Sequence, residues 1–420
     1  MKIANLDDIV EAGLCAGCGI CESIAGREAV EMKLSSNGRI RPYSKKLLNA
    51  STFDQIMQVC PGVTVKAAEQ NTAFPAHPVW GPIGSLHRGW ACDEQTRFHA
   101  AAGGSLTALG MYLIRTGKVD TILHMVASPE KPPLSQTRIS TTEQEVYDSA
   151  QSRYGPGASL TKVHTLLEQG RTFAVIGKPC DINAIRNLQQ TNARARKQIP
   201  YCLSIFCGGT LSLNAIDAMA RHFGASADEL SLFRYRGEGW PGTAHMETHD
   251  GREFDLSYEQ AWLDDHVPWK YDLQFRCKIC PDAIGETADV SCPDGWIMKH
   301  GKPVYEEAPG ANLIITRTQA GEDLVREAVA ETVLSLEAFS IAQLDEMHDD
   351  HKNRKTHWPA RILGLRLAGQ PTMRISGYRL LSAILAAGLS YSWKSFWGTF
   401  QRARKGLNRE PGFPNSQENI

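Results

Sequence analysis

What the chain lacks narrows its class first. No apolar run approaches the roughly 20 residues that a bilayer-spanning helix needs; the greasiest stretch, Leu380 to Leu389, is half that length. No basic n-region followed by an apolar h-region precedes Cys15, so no secretory signal is recognisable and the cytoplasm is the expected address, with the inner face of a membrane as a peripheral option. Net charge is close to nil, −1 over 420 residues. No nucleic-acid fold signature accompanies the basic residues that are present, which argues against a nucleic-acid partner. Internal repeats and low-complexity segments are absent as well. The cysteine count, eleven, is odd, so the set cannot pair completely, and a reducing compartment disfavours a disulfide framework.

Hydrophobic residues make up 42% and charged residues 22%, enough for a globular chain with a real core. The neutral total hides an asymmetry. From His351 onward there are 12 Lys/Arg against 2 Asp/Glu, whereas the first 350 residues hold 33 against 44. An acidic body therefore carries a basic tail.

The sequence divides into five stretches. Residues 1–72 form a small cysteine- and glycine-rich unit, and the Pro-rich 73–84 reads as a linker. Across 85–315, strand-length apolar runs alternate with helical patterns, which predicts a mixed α/β core. Its strand candidates are 121–126, 172–176 and 203–206; its helix candidates are 106–114 and 160–167. Residues 316–350 read as an acidic helical segment. The basic tail, 351–420, also reads as helical, interrupted at Gly369-Gln370-Pro371.

Cysteines occupy positions 15, 18, 21, 60, 92, 180, 202, 207, 277, 280 and 292. Cys15-Ala-Gly-Cys18-Gly-Ile-Cys21 is the triple-cysteine run of bacterial-type ferredoxins, with Cys60-Pro61 as the distal partner. Thiolates two residues apart wrap a tight loop around one face of a cubane, and Gly17 and Gly19 let backbone amides approach the sulfurs. The fourth cysteine of two-cluster ferredoxins is replaced by Ala25. The expectation is one 4Fe–4S cluster on Cys15, Cys18, Cys21 and Cys60, in a ferredoxin-like unit; a structural zinc site is the alternative for the same four thiols. Cys277-Lys-Ile-Cys280 says little alone. It gains weight from Cys180 and Cys207, each following a strand candidate, because strand ends and tight turns can converge at one sheet edge.

The motifs Ala102-Gly103-Gly104-Ser105-Leu106-Thr107, Gly177-Lys178-Pro179-Cys180, Phe206-Cys207-Gly208-Gly209, Tyr235-Arg236-Gly237-Glu238-Gly239-Trp240-Pro241 and Arg276-Cys277-Lys278-Ile279-Cys280-Pro281-Asp282 occur in that order. In this set the chain resembles the beta subunit of coenzyme F420 (deazaflavin) hydrogenases and dehydrogenases, a family with chlorophyll-type reductases among its relatives. The resemblance implies a core that carries FAD and a second 4Fe–4S cluster on Cys180, Cys207, Cys277 and Cys280. Cys202 competes with Cys207 for one place. Cys92, Cys202 and Cys292 are left as buried hydrophobes. The chain departs from the family at Ala102, where serine is usual, at Asp181, where glutamine is common, and at Gly208, where histidine is frequent. These changes leave the ligands in place and bear on whether the deazaflavin is the substrate.

Within that frame Gly103, Gly104, Ser105 and Thr107 open a helix whose free amides suit a flavin pyrophosphate. Arg236, Gly237 and Trp240 are candidates to clamp a phosphate or stack on a ring, with a buried tryptophan turn as the alternative. Lys178 is a candidate contact to flavin or cluster. His99 and Lys178 are the weak candidates for catalysis. The function expected is an oxidoreductase that passes electrons between a ferredoxin-like or deazaflavin partner and a small molecule, through two 4Fe–4S clusters and FAD. A tetrapyrrole reductase and a non-catalytic electron-transfer subunit are the competing readings. Within 379–409, residues 381, 385, 389, 393, 396, 397 and 400 repeat at helical spacing among cations. Such a face suits a membrane interface, an acidic redox partner, or the acidic body of the same chain.

Overall fold

The computed structural model of the protein describes residues 3–67, 73–270 and 272–413. The expected boundary at 72 and the end of the basic tail lie outside the described residues. The core is an eight-stranded sheet made of β1 Leu86–Ala91, β2 Thr121–Ala127, β3 Ser135–Ser140, β4 Phe173–Gly177, β5 Tyr201–Ser204, β6 Val290–Ser291, β7 Asn312–Thr316 and β8 Leu334–Ala338. Their order across the sheet is β8-β1-β7-β6-β5-β4-β2-β3. The central four, β2, β4, β5 and β6, run parallel. β3 closes one side antiparallel, and β7, β1 and β8 close the other.

Apolar side chains alternate between the two faces, as a strand period of two requires. Leu123, Val175 and Cys202 join one core with Ile182, Ile185 and Leu188. Their neighbours Ile122, Ala174 and Leu203 join the opposite core with Leu109 and Leu113. The helices α1 Ser105–Arg115 and α2 Pro179–Thr191 supply those partners. A three-stranded antiparallel sheet, 230–234, 244–248 and 253–256, has its own apolar core around Phe233, Tyr235 and Trp269.

Three expectations change. The acidic segment 316–350 is not one helical unit: helices 319–330 and 341–347 flank β8. Pairing with β1 decides this, because Leu334, at 2% exposure, faces the core from an acidic neighbourhood. The Pro-rich 73–84 is more than a linker. Ala76–His77 pairs with Gly81–Pro82, Trp80 is fully buried, and its indole N–H donates to Asp345 at 2.7 Å.

The N-terminal unit is also no separate body. Leu6, Leu14, Ile56 and Val65 share one core with Phe275, Ile279, Trp358, Ile362 and Leu365, and strand 64–66 pairs in parallel with 374–376. Part of the basic tail therefore packs on its own chain. Its helices are α3 Asp349–Leu367, α4 Leu380–Ala387 and α5 Leu389–Arg404. α3 and α5 approach closely at Gly364, where a Cβ would stand 2.6 Å from the Phe396 carbonyl oxygen. At the far end, Arg41 forms a buried bidentate pair with Glu410 at 2.6 and 2.8 Å.

Candidate functional site

Two neighbouring parallel strands end side by side and do the positioning. β4 runs out into Gly177-Lys178-Pro179-Cys180, and β5 is followed by Ile205-Phe206-Cys207. Gly177, Lys178, Ile205 and Phe206 line a cleft of about 240 Å3 at this sheet edge. Lys178, Pro179, Cys180 and Cys207 line a second, smaller cavity together with Cys277, Cys280 and Arg276. Cleft and cysteine cavity thus lie back to back, with Lys178 on the wall of both. The carboxyl ends of parallel strands are where open α/β sheets place their ligands.

Cys180, Cys207, Cys277 and Cys280, brought together from three distant parts of the sequence, line this one cavity. Cys202 does not reach it; its side chain is fully buried in the sheet core beneath α2. Of the other spare cysteines, Cys292 is buried on the cleft wall and Cys92 is only half-buried, so the expectation of a buried hydrophobe fails there. Burial pushes the Cys207 thiol up to about 12, with Cys277 adding to the rise and Lys178 opposing it. Gln274 donates to the Cys277 sulfur at 3.3 Å.

Cys15, Cys18, Cys21 and Cys60 form the other group. Burial raises all four thiols, Cys60 to about 12 and Cys18 and Cys21 well above the ordinary value. Cys60 repels Cys18 and Cys21, and Cys15 repels both Cys21 and Cys60. The Gly17 amide donates to the Cys15 sulfur at 3.4 Å, as the glycine spacing leads one to expect. Among the described residues, no three His, Cys, Asp or Glu side chains stand close enough to hold a single metal ion.

The two groups adjoin. Ala16, inside the first cysteine loop, lines the second cavity. Arg276 donates to the Pro61 carbonyl at 3.0 and 3.3 Å, next to Cys60. Burial works against the Arg276 charge, but the sulfurs of Cys280 and Cys180 outweigh it, so its pKa lies above the ordinary value.

In the cleft, Gly104, Ser105, Leu106 and Thr107 form one wall. Gly104 has φ +72° and precedes α1 without a side-chain cap; a Cβ there would press on the Thr96 carbonyl at 2.9 Å. The Ser105 amide at the helix start donates to the Asn312 side chain at 3.2 Å, and Gly104 itself offers no cap to the amides that follow. Arg236 enters the opposite wall, held by Asp294 at 3.0 Å and by the Pro241 carbonyl at 2.8 Å. Two buried polar atoms of this lining have no partner among the described residues: Arg236 Nη2 and Ser105 Oγ.

Lys178 Nζ pairs with the fully buried Asp181 at 2.8 Å, and the Lys178 amide donates to the same carboxylate at 3.1 Å. Asp181 thereby caps α2 and neutralises the lysine, which gives this departure from the family a structural role. Ala102 lines the cleft, and Gly208 faces open space.

Other expected residues fall elsewhere. Gly103 packs on Ala311 and Asn312 and Gly237 on Gln151 and the His99 carbonyl; neither lines the cleft. Trp240 is buried against Trp296, with ring centroids 4.8 Å apart, because that partner arrives from a distant part of the chain; it does not face the cleft. His99 sits beside the cleft, bonded through Nδ1 to Glu238 and stacked on Tyr147 at 4.5 Å. Sequence reasoning missed Gln151, Arg153, His124 and Asn312 on the lining, since none lies in a motif. Arg276 stood in the quoted cysteine motif without a role, which the structure supplies.

The fold and this edge define a mixed α/β protein with a ligand cleft set against grouped cysteines. Two family models match it: the N-terminal part of the coenzyme F420 hydrogenase/dehydrogenase beta subunit over residues 86–163 and its C-terminal part over 170–341. The chain belongs to that family. It is 22% identical over 349 residues to the coenzyme F420-dependent sulfite reductase of Methanocaldococcus jannaschii, covering 79% of this chain and 49% of that protein. The chain thus spans about half the length of that relative. It is 24% identical to the F420-dependent formate dehydrogenase subunit beta of the same organism, over 64% of this chain and 71% of that one. Among solved structures, a chain of the F420-reducing NiFe hydrogenase complex from Methanosarcina barkeri shares the fold, with TM-score 0.54 and 18% identity, covering 72% of this chain and 99% of that one. The relatives are named as F420-dependent redox proteins.

Proposed function

We propose that the protein is an iron–sulfur flavoprotein that passes electrons between a redox partner protein, such as a ferredoxin, and a small molecule bound in the cleft, for which coenzyme F420 is the first candidate. The observation that carries this reading is the shared wall: Lys178 faces both the cleft and the cavity lined by Cys180, Cys207, Cys277 and Cys280.

The donor sets fit the groups they would hold. Cys15, Cys18, Cys21 and Cys60 would hold one 4Fe–4S cluster and the other four cysteines a second. Buried thiols need a positive centre to ionise, and an amide and a side-chain donor already point at sulfur at Cys15 and Cys277. FAD would lie in the cleft, with its phosphates toward the α1 amides, Ser105 Oγ and Arg236 Nη2. When bound, flavin supplies hydride chemistry and the clusters supply one-electron transfer. The chain's own part is placement. Arg276 joins the two cysteine groups, Lys178–Asp181 fills the wall between cavity and cleft without net charge, and burial keeps water from Cys15, Cys18 and Cys21.

The test is anaerobic isolation, with iron, sulfide and flavin assayed and the visible spectrum read before and after dithionite. Iron near eight per chain, one flavin, and bleaching by dithionite support the reading. A colourless protein with zinc and no flavin sinks it. The relatives that are named as subunits also favour a second reading, a subunit that only relays electrons to a larger enzyme; turnover of F420 or another small acceptor by the isolated chain overturns it.

A further inference from the structure

Helices α4 and α5 meet at Gly388 and leave an apolar ridge uncovered. Leu381, Leu385 and Leu389 are 75, 84 and 88% exposed, and Tyr391 and Trp393 65% each. Leu381 and Leu385 are one turn apart on α4, and Leu389 and Trp393 one turn apart on α5, so each helix presents its own apolar pair. Trp397 and Phe400 stack behind at 5.3 Å. The opposite side is packed, with Ala383, Ala387, Thr399 and Ala403 buried. Arg379, at the head of α4, is tied to buried Glu286 at 2.7 Å, so the ridge is held to the core.

Charge along these two helices has a single sign. Lys394, Arg402, Arg404 and Lys405 are exposed, and no Asp or Glu occurs between His351 and Arg409. Protein interfaces draw their energy from Trp, Tyr and Arg, with leucine under-represented. Protruding leucines with tryptophan and cations compose a helix that lies in a bilayer interface. No helix among the described residues is long and apolar enough to cross a membrane. Both family models end before this surface, the later of them at residue 341.

We propose that α4 and α5 dock the protein on an anionic lipid surface, with the exposed leucines in the acyl boundary and the cations at the headgroups. Each cation near such a surface adds about fivefold to partitioning, and each leucine withdrawn from water about tenfold.

The test is co-sedimentation of the isolated protein with vesicles of phosphatidylcholine alone or mixed with phosphatidylglycerol. Binding to the mixed vesicles that weakens in salt is expected. The double variant Leu385→Ser/Leu389→Ser should lower it by roughly a hundredfold, and Arg402→Gln/Arg404→Gln by more than tenfold. Circular dichroism and iron and flavin content, unchanged in both variants, show that fold and redox site are intact, so the lipid test stands apart from the redox reading. No binding to mixed vesicles, or binding indifferent to the leucine change, overturns the proposal. So does a dimer or a tight partner-subunit complex, present without lipid, that the leucine change dissolves.

Discussion

Cys202 and Cys207 lie five residues apart, and replacing each with alanine separates sheet packing from a role in the site. Cys207 lines the cavity with Cys180, Cys277 and Cys280, so Cys207→Ala removes one of four thiols around one centre. If the second cluster is lost and the first retained, iron per chain falls by about half. Cys202 is fully buried between α2 and the sheet, where burial holds its thiol neutral with a pKa of about 12. Cys202→Ala deletes one buried heavy atom, which costs about 1 kcal/mol and leaves iron unchanged. The assay is iron and sulfide per chain on anaerobically purified variants, with urea unfolding as the stability measure. A Cys202→Ala protein that loses half its iron, beside a Cys207→Ala protein that keeps it all, refutes the assignment and the shared-wall argument with it.

Glu286 is fully buried and faces Lys355 and Arg379. Glu286→Gln strands the two cations beside Arg317 and should cost about 3–5 kcal/mol in urea unfolding. The cations hold its folded pKa below the ordinary value against burial. Its contribution is therefore full above the unfolded carboxyl pKa of about 4.3 and lost as pH falls through the lower folded value, so the variant shows a shallower acid limb. His124, buried on the cleft wall, has its pKa pushed down to about 4 by burial, with Arg138 adding. Unfolded histidine takes up a proton below about 6.5 while the folded one does not, so stability falls by about 3 kcal/mol from pH 6.5 to 4; stability measured across that window should lose this slope in His124→Gln. Arg236→Met removes the unpartnered guanidinium nitrogen from the cleft, and flavin affinity, followed by ultrafiltration, should drop about 10- to 100-fold; unchanged retention removes Arg236 from the phosphate site.

Legibility followed locality. The helix at 105–115, the strands at 121–127 and 173–177 and the cysteine run at 15–21 were readable because each pattern lies within a few residues. β8 was not, since Leu334-Ser-Leu-Glu-Ala is only five residues set between two helical patterns, and its alternation becomes a strand by pairing with Trp90 and its neighbours. Trp240 was open between a ring contact and a buried tryptophan turn, and the second holds, because Trp296, more than fifty residues on, packs against it within a larger apolar core. Arg153, which donates to the carbonyls of Pro132, Leu134 and Phe233 beside the cleft, carries no motif at all.

The amino-acid order alone determined which thiols can share a loop, where strands alternate with helices, and which family the chain joins, because those properties depend on neighbours in sequence. Tertiary structure decided which thiols share a cavity, that the amino-terminal unit and the basic helices form one body, and that cleft and cysteine cavity share a wall. The one body rests on a shared apolar core and on the pairing of 64–66 with 374–376; the shared wall depends on the parallel arrangement of β4 and β5, whose ends come side by side only once hydrogen bonds between the strands have set their register.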